Sequence, residues 1–455
     1  MPEIEPNSLT PNLLRLRFLG SPMGTLAYRP DGPFYALELE REFIAQGHEL
    51  SPLNLPLSGF SNGPRVFHPG DSPFAGGLPG LVADSLPDSW GERMLQLEVP
   101  GLNSVMGKLA AIGERGPGAI TFEPVLGKGA DAETLSVNLA KLARNSAKFA
   151  KRSTHSIRST ITGVLTPSAV DVALATGGGS LGGAFPKVSA HIPVSGKTGN
   201  LTGDFLELKN ILVGGPTPPG HVPAILKLSP ADDEGGGSVE YAFWLMAKNA
   251  GIRVPRACLV HDGERRHFAS TRFDRHPQAG GTWGRRHVHT LSGLLHKRAS
   301  DGHIDYEEFI RLSRALGGAE EAHECFRRII FNLLSTNRDD HGRNHAFLYD
   351  ETARAWTLAP AYDMNPNVAT VLIALTWLGS AEIPTRFEQL LALAEHGGIA
   401  PREAKTIYAQ VESATIGGWR AAANHAAVPE NITAIWEKEM LSQTRQLRAS
   451  THHSQ

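Results

Sequence analysis

The chain is short of several things, and each shortage removes a class of protein. Only two cysteines, Cys258 and Cys325, occur in 455 residues. They stand far apart with no Cys-x-x-Cys spacing, which excludes a disulfide scaffold, argues against a structural zinc site and fits a reducing cytoplasm. Net charge is nearly absent too, since 44 Lys and Arg against 46 Asp and Glu leave −2. No global positive field exists to draw the chain onto DNA or an anionic membrane. Long apolar runs are missing as well. The longest, near Val368 to Leu378, is interrupted by Thr370 and Thr376 and falls short of the roughly 20 residues that a bilayer span needs. The opening stretch MPEIEPNSLTPN is acidic and proline-bearing, so no secretory signal is expected in it.

What remains is the balance of a globular protein, with 41% hydrophobic and 20% charged residues. The length exceeds the roughly 250 to 300 residues at which a single core stops growing, so two or three packed subdomains are expected. From Leu14 to about Leu53 short apolar stretches alternate with turn signals such as Arg29-Pro30-Asp31-Gly32, which predicts a β-rich opening unit. Asp88 or Ser89 reads as a helix cap before Trp90, and a short strand is expected at Ala119 to Phe122 behind Gly116-Pro117-Gly118. This first unit is expected to span residues 12–130. Between Glu133 and Asp171 the charged side chains are basic, as on a solvated helix face or linker, with a docking surface for an acidic partner as the alternative.

A glycine-rich turn follows at Gly177 to Gly183, then strand-like stretches around Asp204 to Leu212 and Ala224 to Leu228. Val239 to Ala250 reads as a helix ended by Gly251 at the position typical of a C-terminal cap. In the second half, Phe326, Ile329, Ile330, Leu333 and Leu334 repeat at helical spacing and require a buried helix. Closing helices are expected over Pro401 to His425 and Asn431 to Leu447.

The buried helix runs directly into Asn337-Arg338-Asp339-Asp340-His341-Gly342-Arg343-Asn344. Asp339 and Asn344 have the D-x-x-x-x-N spacing of a kinase catalytic loop, in which a carboxylate takes a hydroxyl proton and an amide oxygen holds Mg²⁺. A hard cation needs a further oxygen ligand. Asp363, in Leu358-Ala359-Pro360-Ala361-Tyr362-Asp363, is placed to supply it. Upstream, Lys227 ends the apolar Ala224-Ile225-Leu226-Lys227 strand, and Glu240 on the next helix is its candidate ion-pair partner. Gly177, Gly179 and Gly182 satisfy G-x-G-x-x-G, a weak signal alone. An isolated surface aspartate is ordinarily just solvated. The five features in this order are what point to phosphoryl transfer.

On these residues the chain resembles the HipA family of serine/threonine kinase toxins over nearly its whole length. The matching segments are Ser180 to Lys187, Arg272-Phe273-Asp274-Arg275, the Asn337 to Asn344 loop and Leu358 to Asp363, with Leu78-Pro79-Gly80, Asp84 to Gly91 and Gly113 to Ala119 in the first half. The resemblance implies an α+β, bilobal, kinase-like fold: a β-rich N-terminal subdomain, an N-lobe-like part over 155–285 and a helical C-lobe over 286–447. It implies ATP and Mg²⁺ as cofactors, Asp339 as catalytic base, Asn344 and Asp363 on the metal, and Lys187 and Lys227 in the nucleotide site. Gly182, Gly183, Ala184, Phe185 and Pro186 would form the phosphate loop and Thr271, Arg272 and Phe273 the adenine hinge. His341, Gly342, Arg343 and Tyr362 would line the pocket.

Ser180 stands at the family's autophosphorylation position, where about two added negative charges would compete with ATP phosphates and expel the loop. The resemblance also implies a cytoplasmic protein with a HipB-like helix-turn-helix antitoxin, DNA contact mainly through that antitoxin, and a protein substrate such as an aminoacyl-tRNA synthetase. Two departures from the family pattern stand out. Phe185 replaces a common polar or basic residue, and Arg343 replaces lysine.

Three other readings compete. A metal-dependent hydrolase could use Asp339, His341 and His345, or His287 and His289, but it leaves Lys227 and the glycine turn without a task. A dinucleotide site needs a crossover helix between Gly182 and Asp204, which Pro186, Pro193 and Gly196 break. A catalytically silent antitoxin-binding module would have no use for Asp339, Asn344, Asp363 and Lys227 together.

Overall fold

The computed structural model describes residues 12–87, 91–92, 102–124, 155–156, 187–195, 200–201, 204–213, 216–229, 235–298, 304–366, 375–377 and 384–451. The expected cap at Asp88 or Ser89, most of the basic stretch from Glu133, the glycine turn Gly177 to Gly183, Ser180 and Gly182 to Pro186 lie outside the described residues.

Strict alternation builds the first sheet. In β1 (Leu13–Phe18), Leu14, Leu16 and Phe18 are buried while Arg15 points to solvent, and β3 (Phe34–Leu39) repeats the pattern through Tyr35, Leu37 and Leu39. With β2 (Ser21–Arg29), β4 (Arg65–Phe67) and β5 (Ile120–Pro124) they form an antiparallel sheet in the order β4-β3-β2-β1-β5. Helices α1 (Arg41–Gln46), α2 (Gly80–Ala83) and α3 (Val105–Ile112) belong to the same unit. The β-rich opening is present as expected, and the three short helices are additions to it.

The second sheet has the order β6-β10-β7-β11-β13-β12-β9 over β6 (His155–Ser156), β7 (Lys187–Ser195), β9 (Phe205–Glu207), β10 (Leu212–Val213), β11 (His221–Lys227), β12 (Ala257–Asp262) and β13 (Arg265–Thr271), with β8 (Asn200–Leu201) paired to β7. The expected strand around Asp204 to Leu212 is two strands separated by a 3₁₀ turn at Leu208–Asn210. That turn lets Leu206, Leu208 and Ile211 all reach a small core shared with Ile192, Val222 and Leu226. Helix α4 (Gly236–Asn249) packs on the other face through Phe243, Met246 and Ala247. It starts three residues earlier than the periodicity predicts and ends as expected, with Gly251 left-handed at φ 78°.

A hairpin of β14 (Arg275–Pro277) and β15 (Trp283–Arg285) leads into β16 (His287–Thr290), which with β17 (Ala346–Asp350) and β18 (Ala355–Leu358) forms a three-stranded sheet. After α5 (Leu291–Leu295), helix α6 (Tyr306–Leu334) begins at an Asp305 cap, whose carboxylate accepts from Glu307 N at 2.8 Å. It is interrupted at Gly318 (φ 81°, ψ −164°), and its second half buries Phe326, Ile329, Ile330, Leu333 and Leu334. The expected Pro401 to His425 helix is two, α8 (Pro401–Thr415) and α9 (Trp419–His425), after α7 (Phe387–His396), and α10 (Glu430–Thr451) closes the lobe. Among the described residues no helix is long and apolar enough to cross a membrane.

The N-terminal unit docks through backbone close enough to demand glycine. A Cβ on Gly80 would lie 2.1 Å from Gly293 O, and one on Gly293 would lie 2.5 Å from an Asp84 carboxylate oxygen. Asp84 fills the space that Gly293 leaves, accepting from Thr290 N at 2.7 Å and Thr290 Oγ1 at 2.6 Å.

Candidate active site

The β17–β18 hairpin places the site. Antiparallel pairing returns the chain to where it started, so the residues before β17 and after β18 meet at one end of the hairpin. Ala359 N donates to Ala346 O at 2.8 Å and closes that end. The loop carrying Asp339 and Asn344 therefore lies beside the segment carrying Asp363.

That segment is anchored peptide by peptide. Glu321 Oε2 accepts Leu358 N at 2.9 Å, Arg328 Nη2 donates to Ala359 O at 2.7 Å, and Ala361 N donates to Arg253 O at 2.7 Å. The buried carboxylates Glu321 and Glu324 are themselves engaged by Arg253 and Arg328. This scaffold holds Asp363 at φ 57°, a left-handed conformation that is uncommon outside glycine and that aspartate tolerates better than most residues.

Lys227 Nζ lies 2.5 Å from Asp363 Oδ1 and also donates to Glu240 Oε1. Burial alone would lower the Lys227 ammonium, but the Asp363 and Glu240 carboxylates outweigh it and hold the pKa above its ordinary value. Burial pushes Glu240 up as well. Two carboxylates thus share one ammonium, and the surplus is negative. Asp339 adds to it, since burial, then Asp363, then Asp340 raise its carboxyl to about 6, with Lys187 opposing.

The amide of Asn344 donates from Nδ2 to Asp339 O at 2.8 Å and fixes the loop. Its Oδ1 is buried and has no hydrogen-bond partner among the described residues. An orphaned amide oxygen on the loop that carries Asp339 fits a hard divalent cation, which Asn344 and Asp363 would hold.

The cavity beside these groups is lined by Lys187, Lys227, Glu240, Thr271, Arg272, Phe273, Arg343, Tyr362 and Asp363 among the residues predicted for the site. Phe273 and Tyr362 form a two-ring wall with centroids 5.4 Å apart, and Tyr362 Oη donates to Arg343 O at 2.6 Å. Other expected lining residues stand elsewhere. His341 is fully buried under the loop, its Nε2 3.9 Å from Asp339 Oδ1, and Gly342 packs toward Ile304, which a Cβ would strike at 2.4 Å. Arg272 reaches the wall, but its guanidinium is turned onto Asp274 at 2.7 Å.

Sequence reasoning missed part of the enclosure. Trp244 lines the back, its indole donating to Pro255 O at 2.7 Å, and Leu81, Asp84, Ser85 and Pro117 to Ile120 bring the N-terminal unit to the cavity. The Gly116-Pro117-Gly118 turn signalled a tight bend there, and nothing local told what it would touch.

The rival histidines are occupied in the interior. His345 Nε2 lies 2.7 Å from Asp340 Oδ1, and His287 Nε2 lies 3.0 Å from Leu50 O. His289 sits between Asp84 (2.6 Å) and Ser51 (3.0 Å), spacings like those of a hydrolytic triad, but Ser51 is only 1% exposed and no substrate can reach it. No group of three or more metal-ligating His, Cys, Asp or Glu side chains converges among the described residues.

Fold and site together define a two-lobed, kinase-like α+β protein with an added β-rich N-terminal unit. Residues 14–123 match the HipA N-terminal domain and residues 179–419 match the HipA-like C-terminal domain. The chain belongs to the HipA family. Its fold is similar to that of a Shewanella oneidensis HipA solved with HipB and operator DNA: TM-score 0.66 at 16% identity, over 96% of this chain and 97% of that one. A Haemophilus influenzae protein bearing a provisional kinase name is 32% identical over an alignment of 154 residues that covers 30% of this chain and 43% of that relative's length. The Helicobacter pylori kinase CtkA aligns more loosely, with TM-score 0.36 and 10% identity over 58% of this chain, too little to bear on the fold.

Proposed function

We propose that the chain is an ATP- and Mg²⁺-dependent protein kinase that phosphorylates serine or threonine on a cytoplasmic protein. The observation that carries this reading is the Lys227–Glu240–Asp363 ion triad inside the cavity, with Asp339 in the same electric field. Lys227 contacts the α- and β-phosphates, and Glu240 fixes the direction of its ammonium. Asp339 accepts the proton of the acceptor hydroxyl as that oxygen bonds to the γ-phosphorus and the bond to the β–γ bridging oxygen breaks, releasing ADP. When bound, a divalent cation held by Asn344 and Asp363 neutralises charge on the phosphate oxygens.

The family supports a regulatory setting as well. A small helix-turn-helix partner of the HipB type would carry DNA contact, a translation factor such as an aminoacyl-tRNA synthetase is a fitting substrate, and Ser180 is the position for autophosphorylation. Incubation with γ-labelled ATP, Mg²⁺ and cell extract is expected to label serine or threonine in protein and to stop on chelation. ATP-independent, metal-requiring hydrolysis would instead support the hydrolase reading. Asp363→Asn should lower transfer by at least about 10²-fold, the loss of several kcal/mol of charge stabilisation. Its thermal midpoint should move little, because Lys227 keeps Glu240 as a partner. A large drop in that midpoint would make Asp363 a structural residue.

A further inference from the structure

Asp274 follows the hinge residues Thr271 to Phe273 and is 6% exposed. Its carboxylate is the hub of a dense polar cluster. Arg272 donates from Nε at 2.9 Å and Nη2 at 2.7 Å, Arg275 from Nη1 at 2.6 Å, and the backbone of Gly118 at 3.0 Å. Burial would raise this carboxyl, but the two guanidiniums hold it well below the usual range. The Gly118 contact crosses from the hinge to the N-terminal unit.

A third guanidinium reinforces that crossing. Arg285 donates to Glu114 O at 2.6 Å, Gly116 O at 2.8 Å and Gly118 O at 2.7 Å, and Arg275 reaches Gly116 O at 3.2 Å. Arg275 and Arg285 are directly opposite across the β14–β15 ladder, where like charges ordinarily repel and destabilise. Asp274 and the turn carbonyls take up both cations and counter part of that repulsion, while burial and the neighbouring guanidiniums still press Arg275 and Arg285 below their ordinary pKa. Gly118 has φ 69°, and a Cβ there would lie 3.2 Å from Val288 N, so the turn is pressed onto β16. Both sides of this junction, Pro117 to Ile120 and Thr271 to Asp274, line the cavity.

We propose that Asp274 is a positioning residue that locks the Gly116–Gly118 turn to the hinge, making the N-terminal unit a wall of the nucleotide pocket and a determinant of nucleotide affinity. The nucleotide part of this inference rests on the kinase reading, whereas the latch stands on its own geometry. A latch acts on the shape of the binding site and not on the transferred proton, so it moves affinity more than turnover.

The test uses the full chain with Asp274→Asn, and with Arg285→Gln as a second variant that unties the turn without altering the hinge. Hydrogen exchange reads the latch, and titration with a fluorescent MgATP analogue reads the pocket. Both variants should lose amide protection over 113–120 while the sheet containing Lys227 stays protected. The Kd for the analogue and the KM for ATP should rise about tenfold, with kcat falling by less than about threefold. Unchanged protection at 113–120 in the folded variants overturns the latch. Unchanged Kd with protection lost overturns its role in the pocket. A wild-type chain that binds no nucleotide defeats the kinase reading instead, and the exchange result still decides the latch.

Discussion

Asp339→Asn should abolish phosphoryl transfer and at the same time stabilise the protein at neutral pH. A general base contributes about 10²- to 10⁴-fold, so kcat is expected to fall by roughly 10³-fold or more, with MgATP binding retained. The stability effect follows from the raised carboxyl pKa, about 6 against an ordinary 3.8. Between those values the folded chain holds a proton that the unfolded chain has released, so stability falls as pH rises from about 4 to 6 and stays lower above that window. The full shift corresponds to about 3 kcal/mol. The side chain is 24% exposed, and solvent screening reduces the expected gain to about 1–2 kcal/mol. Denaturant titrations of both proteins at pH 4 and pH 7.5 measure it: the difference should be absent at the first and present at the second. Equal stability at pH 7.5 would mean that Asp339 is not held in an unfavourable field. The acid limb of kcat should break at or below about 6, because a cation bound in the substrate complex lowers the carboxyl further.

The neighbouring carboxylate should behave in the opposite way. Asp340 is fully buried, accepts a hydrogen bond from the Tyr306 hydroxyl and lies 2.7 Å from His345 Nε2, and its carbonyl takes Leu375 N at 2.7 Å. Burial alone would raise its pKa, but His345, Tyr306 and Asn332 hold it below the ordinary value. Its contribution is therefore present at neutral pH and lost as pH falls through the lowered pKa. Asp340→Ala strands a hydroxyl and an imidazole in the interior and should cost about 3–5 kcal/mol. The remaining folded molecules keep Asp339 and should retain measurable transfer. Wild-type stability with transfer eliminated would reverse the assignment of the two aspartates.

Neighbours in the sequence thus meet opposite electrostatic surroundings. Both Asp339 and Asp340 are carboxylates in a polar loop after a buried helix, and nothing local separates them except the spacing to Asn344. The separation comes from what each side chain meets. Asp340 turns inward to Tyr306 and His345, 34 and 5 residues away along the chain, whereas Asp339 faces Asp363 and Lys187.

The sequence by itself determined the features that depend on spacing along one element. The alternation of β1 and β3, the buried stretch of α6 and the left-handed stop at Gly251 are all local patterns, because helix and strand periods translate directly into faces. Only the tertiary structure decided the rest. The broken strand at Leu208–Asn210, the left-handed Asp363, the Trp244 wall and the Asp274 junction with Gly118 depend on groups brought together from distant parts of the chain. Such contacts follow from how sheets and helices dock, and docking is set by the sum of many buried surfaces, which no short window of residues contains.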